Sequence, residues 1–84
     1  MPKIPRDITG KTLSALLERK FGYQIERKTG SHLRLVTQYK GKRHKITIPD
    51  HNPIKIGTLN HILNDLSAYL GIDKGRLIEA LFGN

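Results

Sequence analysis

The chain has no cysteine, no long apolar run and few acidic residues, and each absence narrows the classes of protein it can belong to. Without cysteine, neither a disulfide nor a thiolate–zinc site can stabilise the fold, which fits a reducing cytosol. No stretch approaches the ~20 apolar residues of a membrane-spanning helix. No apolar segment follows the charged start of the chain, so a signal peptide is not expected. We therefore expect a cytoplasmic protein that does not contact a membrane.

The scarcity of acidic side chains makes the chain strongly basic. Seven acidic residues oppose 15 lysines and arginines, which gives a formal net charge of +8 and an isoelectric point near 10.1. Residues 1–55 hold 13 basic and four acidic side chains, whereas residues 56–84 hold two and three. A basic region of this kind favours nucleic acid or another polyanion as the ligand, although lysines that merely aid solubility give the same composition.

The chain length and the lack of repeats predict a single domain over residues 1–84 with a small core. Residues 1–8 are predicted to be an irregular basic tail. Leucines at helical spacing predict a first helix over about residues 11–20. Two further apolar stripes predict a helix from about residue 56 to 70 and a short helix after residue 73. The expected caps and stops are Thr9, Asp73, Gly22 and Gly71.

Three segments alternate apolar and polar residues and predict β-strands over residues 23–28, 32–37 and 44–48. The order α-β-β-β-α, with a short extra C-terminal helix, indicates the α+β class. We expect an antiparallel three-stranded sheet with helices on one face and the other face open.

The apolar pattern also predicts how the strands pair. A two-residue turn at Lys40-Gly41 would pair Leu35 with Ile46 and Leu33 with Ile48, which gathers the apolar side chains on one face. The opposite face would then carry His32, Arg34, Lys45 and Thr47.

The first turn follows from the same requirement. A three-residue turn, Thr29-Gly30-Ser31, with Gly30 in a left-handed conformation, keeps Ile25 in the core opposite Leu35. A two-residue turn at Thr29-Gly30 would place that isoleucine on the polar face. The favoured register sets two more cross-strand pairs, Lys28 with His32 and Glu26 with Arg34.

His32 is the principal candidate for chemistry, because an imidazole can take or give a proton at physiological pH. It begins a strand inside a stretch, residues 27–49, that holds seven lysines or arginines and no acidic residue. Nearby cations favour the neutral, basic form of an imidazole and can bind phosphates. The competing interpretation is a histidine on an open sheet face that has no role.

The remaining polar residues give weaker signals. His44, His51 and His61 fit no metal-ligand spacing with His32, so neither a metal site nor a cofactor is expected. The hairpin cations, among them Lys42 and Arg43, could grip a phosphate backbone or be simply solvated. The sequence also lacks a Walker-type loop, a nucleophile elbow and paired carboxylates.

Several fragments occur in an order that is specific in combination. They are Gly30-Ser31-His32 at a strand start, Ile46-Thr47-Ile48-Pro49, a His/Asn/Pro loop, Lys55-Ile56-Gly57-Thr58-Leu59 at a helix start, and Leu70-Gly71-Ile72-Asp73 before a short apolar helix. Over about residues 9–82 the chain resembles the HicA toxin family of toxin–antitoxin systems.

The resemblance implies a fold similar to the double-stranded RNA-binding domain. It also implies a ribonuclease that cleaves mRNA without a metal, an mRNA interferase, with His32 as the catalytic residue. The implied partner is a HicB-type antitoxin that blocks the histidine and binds operator DNA, so this chain would meet DNA only through the antitoxin. The residues expected to bind RNA are Lys28, Gly30, Ser31, Arg34, Lys42, Arg43 and Lys45. A non-catalytic RNA-binding module of the same fold is the alternative, and a DNA-binding regulator that depends on a partner is a second.

Overall fold

The computed structural model describes residues 4–83, and three strands separate the first helix from two others. The elements are α1 (Gly10–Phe21), β1 (Gln24–Thr29), β2 (His32–Thr37), β3 (His44–Pro49), α2 (Ile56–Leu70) and α3 (Lys74–Phe82). The strands form one antiparallel sheet in the order β1-β2-β3. The predicted α+β class and element order are confirmed. Within residues 4–83 no helix has the length and apolar character to cross a membrane.

Helix α1 begins where the sequence predicts. The Thr9 side-chain oxygen accepts a hydrogen bond from the Thr12 amide at 3.1 Å. Gly10, the first helical residue, passes so close to the end of β3 that a Cβ there would lie 2.8 Å from the Asp50 Cα, and nearer still to the Pro49 carbonyl oxygen. The missing side chain at residue 10 therefore allows α1 to dock beside the strand end that pairs with His32.

The other predicted helix boundaries are also confirmed. The Asp73 carboxylate caps α3 by accepting from the amides of Gly75 and Arg76. Gly22 and Gly71 end α1 and α2, each with a φ of 67°. These helix ends depend on capping side chains and on glycines next to the helix in sequence, which can be identified without the structure.

The core lies between the helices and one face of β2 and β3. Its strand residues are Leu33, Leu35, Ile46 and Ile48, of which none is more than 6% exposed. They pair as predicted, Leu35 with Ile46 and Leu33 with Ile48.

The predicted N-terminal tail, residues 1–8, contributes to this core over the part that is described. Ile4 and Ile8 pack against the core, and the Ile8 carbonyl accepts a hydrogen bond from the Ile54 amide at 2.8 Å. The predicted start of the tail, residues 1–3, lies outside the described residues.

The turn between β1 and β2 differs from the prediction. It has two residues, Gly30-Ser31, so that Thr29 pairs with His32 and Lys28 pairs with Leu33. Gly30 has the positive φ, 55°, that a hairpin turn of this kind needs at its first position. The predicted pairing of Lys28 with His32 is therefore wrong, because directly opposed residues share a face and Leu33 points into the core.

A β-bulge in β1, rather than a three-residue turn, shifts the alternation of side chains between the two sheet faces along this strand. The register shifts between Ile25 and Arg27, which leaves Glu26 as the extra residue. Ile25 then opposes Leu35 as predicted, but Arg27 rather than Glu26 opposes Arg34. Ile25 is nevertheless 49% exposed, so its predicted place in the core is wrong. The helices pack mainly on β2 and β3 and leave β1 largely uncovered.

The second hairpin keeps the predicted register but has a longer connection. Its ladder ends at the pair Thr37–His44, and the Gln38 carbonyl accepts a hydrogen bond from the Gly41 amide at 2.8 Å. The connection is thus a six-residue loop that contains a four-residue turn, and the predicted two-residue turn is wrong.

A polar network on the helix-covered face anchors this loop. The Tyr23 hydroxyl lies 2.8 Å from His44 Nδ1, and His44 Nε2 lies 3.3 Å from Asp65 Oδ1. The Tyr69 ring stacks on the His44 imidazole with centroids 4.4 Å apart, and its hydroxyl donates to the Lys42 carbonyl. Burial, followed by the nearby Tyr69 and Asp65, raises the pKa of Tyr23.

Candidate active site on the open sheet face

The face of the sheet that points away from the helices, hereafter the open face, carries most of the predicted site residues. Its side chains are His32, Arg34 and Val36 on β2, Thr29, Arg27 and Gln24 on β1, and Pro49, Thr47 and Lys45 on β3. The predicted grouping of His32, Arg34, Lys45 and Thr47 on one face is confirmed, because the pairing of β2 with β3 is as expected.

His32 lies in a hollow of about 390 Å³, hereafter the His32 hollow. Its lining residues are Arg27, Thr29, His32, Arg34 and Thr47. An imidazole thus shares one concavity with two guanidinium groups and two hydroxyls. Guanidinium groups bind phosphate oxygens through paired N–H donors, so this hollow has the chemistry to hold a phosphodiester beside a titratable base.

The backbone of His32 is fixed from both sides. On one side it pairs with Thr29 next to the tight turn, and on the other the Asp50 amide donates to the Ser31 carbonyl at 2.6 Å. Hydrogen-bonded and non-hydrogen-bonded pairs alternate along an antiparallel ladder. Ser31 and Asp50 are hydrogen-bonded to each other, so the pair that follows them, His32 with Pro49, needs no ladder bond. A proline, which has no N–H, therefore fits opposite the histidine.

The imidazole itself is exposed. Among residues 4–83 no group forms a hydrogen bond with it. Its orientation in this structure therefore comes from the backbone rather than from a second side chain, and both ring nitrogens are open to a ligand.

Arg27 is the site residue that the sequence analysis missed. Because of the bulge it pairs with Arg34 and enters the His32 hollow. Within residues 4–83 neither arginine forms an ion pair, so both guanidinium groups are available to an anion. Its place in the basic stretch is the sequence signal that could have identified Arg27. The predicted register, however, placed Glu26 rather than Arg27 opposite Arg34.

Lys28, predicted beside His32, lies on the other face of the sheet. Its Nζ is 4.0 Å from Asp50 Oδ2, and its side chain is 58% exposed. The structure therefore does not bring Lys28 together with the His32 hollow. Gly30 and Ser31, also predicted to bind RNA, are the exposed turn residues immediately before the histidine.

Two other predicted RNA-binding cations share one carboxylate. Arg43 Nη2 lies 2.9 Å from Glu26 Oε2, and Lys45 Nζ lies 3.6 Å from Glu26 Oε1. The Arg43 hydrogen bond, with a further contribution from Lys45, lowers the pKa of Glu26. Lys42 is exposed in the loop after β2 and does not line the His32 hollow. Glu26 thus offsets part of the charge of Arg43 and Lys45, whereas Arg27 and Arg34 in the His32 hollow have no carboxylate partner among residues 4–83.

The histidines do not gather into a metal site in the part of the chain that the structure describes. No group of three or more histidine or acidic side chains there could hold an ion. His44 binds Tyr23 and Asp65 on the helix-covered face, and His51 and His61 are exposed elsewhere.

A small basic α+β protein with helices on one face of its sheet, and a histidine beside two arginines on the other, belongs to a class suited to bind a polyanion. A family model described as "HicA toxin of bacterial toxin-antitoxin" matches residues 10–67. The match covers more than half of the chain, and the chain therefore belongs to the HicA toxin family. The matched segment includes α1, the whole sheet and most of α2, whereas α3 lies beyond that segment. Comparison with curated proteins and with solved structures gives no significant match.

Membership of this family makes the chain the toxin of a bacterial toxin–antitoxin pair, and a toxin of this kind has a cognate antitoxin as partner. The resemblance found in the sequence is thereby confirmed.

Proposed function

We propose that this toxin is an endoribonuclease that cleaves mRNA in the His32 hollow, without a metal, and that a HicB-type antitoxin holds it inactive. The observation that supports the proposal most strongly is the hollow itself, where an imidazole lies beside the Arg27–Arg34 pair on an exposed face. Family membership supports the same conclusion.

In the proposed reaction, neutral His32 accepts the proton of an RNA 2′-hydroxyl. The 2′-oxygen attacks the adjacent phosphorus, and the bond from phosphorus to the 5′-oxygen of the next nucleotide breaks. The products are a 2′,3′-cyclic phosphate and a 5′-hydroxyl, and His32 later returns its proton to water. The requirement for a 2′-hydroxyl selects RNA over DNA.

Arg27 and Arg34 would stabilise the negative charge that develops on the phosphoryl oxygens. Their guanidinium groups stay protonated, so they cannot supply the proton that the leaving 5′-oxygen needs. We assign that proton to water, because the other groups that line the hollow are arginine guanidinium groups and threonine hydroxyls. An enzyme with a single base and no dedicated acid should be slow.

The antitoxin would act on the same surface. His32, Arg27 and Arg34 are all exposed, so inhibition requires that the partner cover the open face or exclude RNA from it. A partner that presents carboxylates to the two arginines would satisfy both charges and displace a phosphate. DNA contact would then be the antitoxin's task rather than that of this chain.

The test is cleavage of a labelled RNA in excess EDTA by the wild type and by His32→Ala. General base catalysis contributes about 10²–10⁴-fold, so we expect the variant to lose activity by that factor. His61→Ala is the matched control, because His61 is exposed on α2 away from the sheet, and it should cleave like the wild type. Activity abolished by EDTA would contradict the metal-free reaction.

A non-catalytic RNA-binding module is the second candidate, and one observation favours it. No side chain among residues 4–83 orients the His32 imidazole, whereas a catalytic base is usually held by a neighbour. If the wild type binds RNA without cutting it, and His32→Ala binds with equal affinity, this second function replaces the first.

A further inference from the structure

The open face has a second hollow at the end of the sheet remote from His32. Its volume is about 330 Å³, and its lining residues are Gly22, Gln24, Val36, Thr37, Gln38 and Arg43. Val36 follows His32 by four residues on β2, so both project from the same face. At ~3.3 Å per residue they are ~13 Å apart, a distance that a few linked nucleotides can span. We call this concavity the Gln hollow.

Two carboxamides flank an apolar floor in the Gln hollow. Gln24 pairs directly with Val36 across β1 and β2, and Gln38 follows Val36 by two residues along the chain. Both glutamine side chains are exposed, and Val36 is partly buried. Each carboxamide offers two N–H donors and a carbonyl acceptor. These donors and acceptors match those on the edge of a nucleobase. Glutamine pairs in bidentate fashion with adenine N6 and N7.

Arg43 forms another wall of the Gln hollow, and its guanidinium group is paired with a carboxylate. Arg43 Nη2 donates a hydrogen bond of 2.9 Å to Glu26 Oε2, which restrains the guanidinium group, and the carboxylate offsets part of its charge. A guanidinium that is already paired is poorly suited to a phosphate, but its flat face remains a surface on which an unpaired base can stack.

Side-chain hydrogen bonds hold the backbone around the Gln hollow. The Thr37 hydroxyl, buried with 4% exposure, donates to the Phe21 carbonyl at 2.9 Å and accepts from the Tyr39 amide at 3.2 Å. These bonds tie the end of β2 to the end of α1. A preformed cavity loses little ordering entropy when a ligand binds.

Between His32 and the Gln hollow lie Arg27 and Arg34, the strand lysines and arginines that form no ion pair among residues 4–83. They provide a phosphate track that leads from His32 toward Gln24, Val36 and Gln38. We propose that the Gln hollow binds one unpaired base, preferentially adenine, of the RNA strand that is cut at His32, and so sets a base preference at a fixed distance from the cut. This inference rests on the proposed ribonuclease function.

The test maps every cut in an RNA pool of mixed sequence for the wild type, for the double variant Gln24→Ala/Gln38→Ala, and for Asn64→Ala. Asn64 is an exposed amide on α2 and serves as the matched control. We expect adenine to be enriched about tenfold at one fixed offset from wild-type cuts, which is the discrimination that a bidentate contact gives. In the double variant the enrichment should fall to about twofold. Asn64→Ala should keep the wild-type pattern.

The same experiment separates failure of the subsite from failure of the enzyme. If the wild type cuts with no preference at any fixed offset, or the double variant keeps the preference, the Gln hollow is not a base site although the ribonuclease proposal stands. If the wild type does not cut at all, the ribonuclease proposal fails. Binding of His32→Ala to two short RNAs that differ in a single base then decides the subsite, and equal affinity would overturn it. Thermal unfolding of all variants confirms that each is folded.

Discussion

The orientation of His32 is set through its backbone, and Gly30 is the residue on which that backbone depends most. The tight turn places the histidine directly after Gly30-Ser31, and Gly30 has a φ of 55°. An L-residue with a side chain rarely adopts this conformation, because its Cβ approaches the following carbonyl oxygen.

We therefore expect Gly30→Ala to lower the free energy of unfolding by about 1–2 kcal/mol. Gly57→Ala is the matched control, since Gly57 lies in α2, has no positive φ, and has open space where its Cβ would be. Alanine should stabilise the helix there by up to about 1 kcal/mol. Urea denaturation measures both. Equal effects at the two positions would contradict the assigned turn.

Glu26 is a second residue whose role can be isolated, because it neutralises part of the charge on the open face. Glu26→Gln should release Arg43 and Lys45 and raise the affinity for single-stranded RNA by about threefold at low salt, with a steeper salt dependence. If the Gln hollow binds a base, the same change should weaken the adenine preference, because the Arg43 plane loses its anchor. Glu18→Gln, at an exposed site on α1, is the control. Unchanged RNA affinity in Glu26→Gln would show that the carboxylate does not compete for these cations.

The pKa of Glu26 gives the sign of the corresponding pH effect. The folded state lowers this pKa, so the ion pairs add stability above the ordinary glutamate range, and that stability is lost as pH falls through the lowered value.

Tyr23 predicts an effect at the opposite end of the pH scale. Burial raises its pKa, so its stabilising contribution is complete below the ordinary tyrosine pKa of about 10 and is lost as pH rises above it. Tyr23→Phe should lose about 1 kcal/mol at neutral pH, because the hydrogen bond to His44 is removed. It should then lose less further stability than the wild type between pH 9 and 11. Tyr39→Phe, at a tyrosine that is 56% exposed, should behave like the wild type over this range.

Among the elements, the helices were the easiest to predict and β1 the hardest. Helix boundaries follow from neighbours in sequence, such as the Thr9 cap and the glycines at 22 and 71, and those predictions are confirmed. The pairing of β2 with β3 was also predictable, because two apolar pairs must face the core.

The partner of each β1 residue was not predictable from the apolar pattern. A bulge in β1 and a longer turn before β2 would each place Ile25 opposite Leu35, so the apolar pattern fits both. The pattern contained no other apolar residue in β1 to distinguish them. The choice matters for the site, because the bulge puts Arg27 beside Arg34 and moves Lys28 to the other face.

The exposure of Ile25 depends on the helices rather than on the strand. A side chain on the inner face of a sheet is buried only if a helix lies over it, and here the helices pack mainly over β2 and β3. Sequence periodicity identifies the sheet face on which a side chain lies, but it does not show which strands the helices cover.

The contact of α1 with β3 gives a prediction at this scale. Gly10→Ala should lower the free energy of unfolding by about 1–3 kcal/mol, since the new methyl group would overlap the backbone of residues 49 and 50. Because that backbone also pairs with the start of β2, RNA cleavage should fall as well. Urea denaturation and a cleavage assay measure the two effects. A Gly10→Ala protein as stable as the wild type would mean that α1 does not dock as closely as described.

At the scale of the whole molecule, ion pairs neutralise part of the positive charge of residues 1–55. Most of its cations precede residue 56, yet Arg43 and Lys45 are paired with Glu26, and Lys28 lies near Asp50 on the helix-covered face. The arginines of the His32 hollow form no ion pair among residues 4–83. Positive charge without a carboxylate partner therefore lies beside the histidine, and RNA affinity should fall as salt rises.

The central claim is that His32 removes a proton from a 2′-hydroxyl on the open face. The most direct measurement uses an RNA oligonucleotide that the wild type cuts at one bond, beside the same oligonucleotide with a 2′-deoxy sugar on the 5′ side of that bond. We expect the deoxy substrate to bind with nearly equal affinity and to resist cleavage at that bond, while the RNA yields a 2′,3′-cyclic phosphate end. Cleavage of the deoxy substrate at the same bond and a similar rate would contradict the account, because the nucleophile would then have to be something other than the 2′-oxygen.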